Sequence, residues 1–113
     1  MSVHIQRLEK ELLRFISSII NNDLRDKNIE WVTVTSISLS KDLSFLKVYY
    51  SHLNKSSDGK VQKALTKSAG YIKREIANKK MMRKIPEIIF YYDTIEENAR
   101  NLDKIFEQIE AEK

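Results

Sequence analysis

Cysteine is absent from the 113-residue sequence, which excludes disulfides, thiolate nucleophiles and zinc–thiolate sites and suits a reducing compartment. Glycine occurs twice and proline once. The chain contains no phosphate-cradling glycine loop, no GxGxxG and no HExxH pair. No apolar run approaches the roughly 20 residues needed to cross a bilayer. The opening MSVHIQRLEKELLRF lacks an uninterrupted apolar core and a small-residue cleavage site, so no signal peptide and no membrane partner are expected, and the reading is cytoplasmic. The two histidines, His4 and His52, have no metal-ligand spacing, and each reads as an ordinary surface or edge residue. Asp42 and Asp93 sit beside strands, where a bond to local backbone is the expected role. Glu96-Glu97 fits the first turn of a helix, where carboxylates suit the dipole. With no acid–base pair to name, the sequence predicts no enzyme, no cofactor and no small-molecule substrate.

What is present is an ordinary 42% apolar content, enough for one domain over residues 1–113 and, as the plain expectation, a monomer. The net charge of +4 is unevenly distributed. Between Lys60 and Lys84 nine basic residues face a single acid, Glu75, whereas residues 94–113 hold six acids against three bases. A concentrated cationic field of this kind is the footprint of a polyanion-binding surface.

Along the chain, Ile5, Leu8, Leu12, Phe15, Ile16 and Ile19 recur at helical spacing and predict an amphipathic helix over Val3–Leu24, capped by Ser2 and weakened at Asn21-Asn22-Asp23. WVTVTSISLS (Trp31–Ser40) predicts a strand whose parity slips, which a bulge near Thr35-Ser36 reconciles. Lys41-Asp42-Leu43 is short enough to dictate an antiparallel hairpin with a second strand, Ser44–Leu53, that turns Leu46, Val48 and Tyr50 inward. Ser57 or Asp58 caps a long helix with Val61, Ala64, Leu65, Ala69, Ile72 and Ile76 as its buried stripe. Small residues at Ser68-Ala69-Gly70 predict a bend there, with the cationic element running on toward Pro86 and a third strand through Ile88, Phe90 and Tyr92. Ile95, Ala99, Leu102, Ile105, Phe106 and Ile109 predict a last amphipathic helix, acidic outside. Met81-Met82 read as core or groove fillers, and Tyr49, Tyr71 and Tyr91 as residues able to stack on unpaired bases.

VTVTSISLSKDLSFLKVYYSHLN followed by KALTKSAGYIKREIANKKMMRKIPEIIFYYD resembles bacterial ribosome-binding factor A. The hairpin LSKDLSFLKVYYS, the small-residue bend before Ile72-Lys73 and the strand IPEIIFYYD carry the likeness in this order and spacing. The resemblance implies an α+β, KH-like type II domain of order α-β-β-α-kink-α-β with an additional C-terminal helix, its three-stranded sheet packed on helices. It also implies a non-enzymatic assembly factor that binds the free small (30S) ribosomal subunit and assists late maturation of 16S rRNA, with importance in the cold. Ser68 stands where the family commonly has alanine; its hydroxyl can bond back to a carbonyl one turn earlier, which also bends helices.

On this reading Lys63, Lys67, Lys73, Arg74, Lys79, Lys80, Arg83 and Lys84 neutralise RNA phosphates, while Ser68, Ala69 and Gly70 let the backbone approach. Arg7 and Lys47 are second-tier candidates. The competing readings are a freestanding KH-type regulator of single-stranded RNA and a protein-contact module acting through the acidic last helix or Met81-Met82.

Overall fold

The structure, a computed structural model, describes residues 3–93. The predicted C-terminal helix, the Ser2 cap and Glu96-Glu97 lie outside that range. The described elements are α1 (Val3–Ser18), β1 (Val32–Leu39), β2 (Phe45–His52), α2 (Asp58–Asn78) and β3 (Glu87–Tyr92). They form the expected α+β arrangement, with a three-stranded sheet in the order β1-β2-β3.

The helical stripe of α1 is buried through Leu8, Leu12 and Ile16. The asparagine-rich end departs from α geometry as anticipated: Ile19–Asp23 form a π turn, closed by the Leu24 amide on the Ile19 carbonyl at 3.2 Å. A short 3-10 turn (Lys27–Ile29) follows, with the Asp26 side chain accepting from the Asn28 amide. Trp31, expected in the strand, precedes it with φ 63°.

β1 pairs antiparallel with β2, and the register slips between Val34 and Ser36. Thr35 is the extra residue, so Val32 and Leu39 are both buried although they stand on opposite parities. The connection is tied internally. Ser40 Oγ accepts from the Ser44 and Phe45 amides and donates to Asp42 Oδ1, and Leu43 turns the chain with φ 63°. The bond from Ser40, then that from the Ser44 amide, holds the Asp42 carboxyl below its ordinary value, so its role is the local one predicted. Asp93 also reaches beyond its own loop: its Oδ2 accepts from the bulged Thr35 hydroxyl at 2.5 Å, tying the end of β3 to β1. His52 departs from the surface role expected of it. Its side chain is 6% exposed, with Nε2 2.9 Å from Asp58 Oδ1 and Nδ1 accepting from the Asn54 amide.

β3 pairs parallel with β2 in the register Leu46↔Ile88, Val48↔Phe90 and Tyr50↔Tyr92. The inward residues Leu46, Val48, Tyr50, Ile88 and Phe90 share one core with Leu12, Ile16, Leu65, Ile72 and Ile76 from the two helices. Tyr50 is buried at its centre; its hydroxyl donates to Gln62 Oε1 at 2.6 Å, and burial raises its pKa to about 12. Met81 and Met82 pack against the core, as their reading as fillers anticipated. That leaves little of them for the protein-contact alternative.

The long helix does not divide in two. α2 runs without interruption from Asp58 to Asn78 and carries Ser68-Ala69-Gly70 within it. Ser57 caps its start, its side chain accepting from the Lys60 amide at 3.3 Å. The bond expected of Ser68 is present, from its hydroxyl to the Ala64 carbonyl at 3.0 Å. The helix also stops earlier than the charge pattern suggested. Lys80 adopts φ 55°, the Lys80 amide bonds the Ala77 carbonyl at 3.0 Å and the Met81 amide bonds the Ile76 carbonyl at 3.4 Å. This is a Schellman ending with a lysine, rather than glycine, in the left-handed position.

Candidate nucleic-acid interface

Helical phase sorts the basic residues. Steps of three and four from Lys60 lead through Lys63, Lys67, Gly70 and Arg74, so these five share one face. All five are exposed, opposite the stripe of Val61, Leu65, Ile72 and Ile76. The charged ends of Lys60, Lys63, Lys67 and Arg74 have no ion pair among the described residues. Lys60, which is not among the candidates named from the sequence, shares this face, and helical phase alone is enough to place it there.

Lys73 falls off this face. It is only partly exposed, and its ammonium lies 2.8 Å from Glu87 Oε1 at the start of β3. The remaining predicted bases lie beyond the helix, because the Schellman ending stops it at Asn78. Lys79 turns toward α1, with Nζ 6.0 Å from the Phe15 ring centre. Lys84 reaches the hairpin connection and donates to Ser44 Oγ at 3.0 Å. Lys80 and Arg83 are exposed on the 79–86 turn. Of the eight predicted bases, Lys63, Lys67 and Arg74 lie on the helical stripe, Lys73 lies off it, and Lys79, Lys80, Arg83 and Lys84 follow the helix, so they do not form one rod. Arg7, on α1, and Lys47, on β2, are exposed on other elements.

Gly70 occupies the middle of the stripe. A β-carbon built on it would meet nothing within 4 Å, and its φ is not positive, so neither packing nor backbone geometry requires glycine there. What the missing side chain leaves is bare helical backbone between Lys67 and Arg74. Ser68 and Ala69 are half-buried on the flank. Tyr71 beside them bonds Asp23 Oδ2 at 3.3 Å, and hydrogen bonding to Glu75 raises its pKa, so its hydroxyl is tied to carboxylates.

The start of the stripe borders a second wall. A shallow cleft of about 120 Å³ is lined by Asp26 and Asn28 on one side and Lys60, Lys63 and Lys67 on the other. That wall is held in place by Asn54, whose amide donates to the Lys27 and Glu30 carbonyls, and by Ser56 bonded to Asn28. Four unpaired cations along about 20 Å of helix, at 1.5 Å rise per residue, match a phosphate backbone in charge and reach.

The family model described as ribosome-binding factor A matches residues 4–106. The Mycoplasmopsis agalactiae ribosome-binding factor A is 36% identical over 111 residues, spanning 98% of this chain and 96% of that protein. The crystal structure of ribosome-binding factor A from Thermus thermophilus aligns with TM-score 0.72 at 27% identity, covering 78% of this chain and 93% of that one. A Thermus thermophilus model fitted into a cryo-EM map of a 30S–RbfA complex aligns with TM-score 0.65 at 29% identity, covering 77% and 92%.

Proposed function

The chain belongs to the ribosome-binding factor A family, and from that membership we propose that it binds the free small ribosomal subunit and assists late maturation of 16S rRNA. The observation that carries the reading is the unpaired cationic stripe Lys60, Lys63, Lys67 and Arg74 with the bare backbone of Gly70 at its middle. The lysines and Arg74 neutralise successive phosphates, and Gly70 admits the sugar–phosphate chain close to the helix. The basic turn at Lys79, Lys80, Arg83 and Lys84 extends the field, whereas Lys73 serves mainly to hold Glu87. A relative seen on 30S particles supports the choice of partner. The protein acts by binding one RNA conformation better than its competitors, with no chemical step of its own.

The test is co-sedimentation with purified small subunits across a salt series. Neutralising about four phosphates predicts a roughly hundredfold loss of affinity between about 50 and 200 mM salt. The double substitution Lys67→Glu/Arg74→Glu is expected to abolish co-sedimentation while leaving the thermal midpoint within a few degrees, and Lys73→Gln to change binding less than threefold. Normal co-sedimentation of the double variant removes the stripe as the site.

A further inference from the structure

The sheet has a second face. The inward side chains of β2 and β3 enter the core, and the alternate positions point away from the helices. Register places them in ranks: Ser36–Tyr49–Tyr91, then Ser38–Lys47–Ile89, then Phe45–Glu87. No described element covers this face. Phe45 is 49% and Tyr91 41% exposed. The Tyr49 and Tyr91 rings stack at 5.6 Å between centres with 27° between their planes.

We propose that this open face is a second binding site, for a short unpaired stretch of RNA, with one base on the Tyr49–Tyr91 pair, one on Phe45 and the phosphate between them on Lys47. Tyr49 stands four positions after Phe45, which at about 3.3 Å per residue puts the two platforms roughly 13 Å apart, with Lys47 midway. That matches an extended dinucleotide step or two. Aromatic faces accept any base, so the site is tolerant of sequence.

Charge selects this occupant. The Lys47 ammonium has no hydrogen-bond or ion-pair partner among the described residues. The two carboxylates at the rim are engaged, Glu87 by Lys73 and Asp93 by the Thr35 hydroxyl. The face also adjoins the basic turn, because Lys84 bonds Ser44 next to Phe45. A purely apolar partner surface fits less well, since it would bury Lys47 and the hydroxyls of Ser36 and Ser38 without partners.

The inference rests on the RNA-binding reading above, but its readout is separate from that of the α2 stripe. The full chain is titrated into fluorescent hexauridylate, with Tyr91→Leu, Tyr91→Phe and Lys47→Gln as variants. Tyr91→Leu keeps apolar area and loses the ring; it is expected to weaken binding roughly five- to a hundredfold, the effect of one lost base–aromatic stack. Tyr91→Phe stays near wild type, and Lys47→Gln weakens binding and flattens the salt dependence. Hexauridylate affinity of Tyr91→Leu within twofold of wild type overturns the proposal. So do NMR contacts in the free chain between Tyr91 and Leu102 or Ile105, which give the face to the chain's own C-terminal segment, and self-association lost in Tyr91→Leu, which gives it to a second copy. If Lys67→Glu/Arg74→Glu still co-sediments while Tyr91→Leu loses hexauridylate, the helical site fails and this one stands.

Discussion

A methyl group at position 70 would point into open space, on a backbone that is already helical. Gly70→Ala is therefore expected to raise stability by about 1 kcal/mol, read as a higher urea midpoint, because glycine is that much worse than alanine inside a helix. If RNA backbone approaches the helix at Gly70 as proposed, the same variant is expected to bind small subunits more weakly, since the methyl would stand in its way. A stabilised variant with undiminished binding would show that Gly70 has no contact with RNA. Tyr50 supplies a second test at this scale. Its buried phenol is held up to about 12, against an ordinary value of 10.0, chiefly by desolvation. A folded-state value above the unfolded one means that the native protein holds its proton longer. The contribution to stability is complete below about pH 10 and is lost as pH rises toward about 12. Tyr50→Phe removes the bond to Gln62 and is expected to cost about 1–2 kcal/mol at neutral pH. It is also expected to flatten the loss of stability across that same alkaline interval, measured by urea unfolding at each pH.

The end of α2 shows what a charge pattern conceals. No glycine or proline lies between Asn78 and Ile85, so nothing in composition marks a stop before Pro86. The chain stops because Met81 finds the core and the Ile76 and Ala77 carbonyls find amide donors, which requires Lys80 to take a left-handed conformation. Lys80→Gly is expected to stabilise the protein by about 0.5–1 kcal/mol, the left-handed strain relieved less the extra chain entropy of glycine. A lower thermal midpoint would contradict this account of the ending. The parts that followed the period of the sequence were legible: the α1 stripe, the hairpin, the inward set of β2 and the bulge, which betrayed itself as a break in alternation. Pairings between distant segments were not. The Thr35–Asp93 bond and the burial of His52 against Asp58 depend on which loops meet, and neither residue spacing nor propensity carries that information. In the site, the lysine stripe was legible as charge. The phase that sets Lys73 apart was countable, but the separation of Lys79 and Lys84 was not, because it depends on where the helix ends.

At the scale of the molecule, the basic helix is also the connection between two neighbouring parallel strands. β1 meets β2 through a tight link, whereas Phe45 meets Glu87 far further along the chain. Closing that long interval costs entropy before its contacts return any, so the hairpin is expected to form early and β3 late. Pulsed amide exchange during refolding is expected to protect the β1–β2 ladder before the amides of β3; simultaneous protection would contradict this. The order bears on how a new copy comes into being. Synthesis delivers α2 before β3, so each nascent chain passes through an interval in which its cationic helix has emerged but has no strand to seat it, beside a ribosome made largely of RNA.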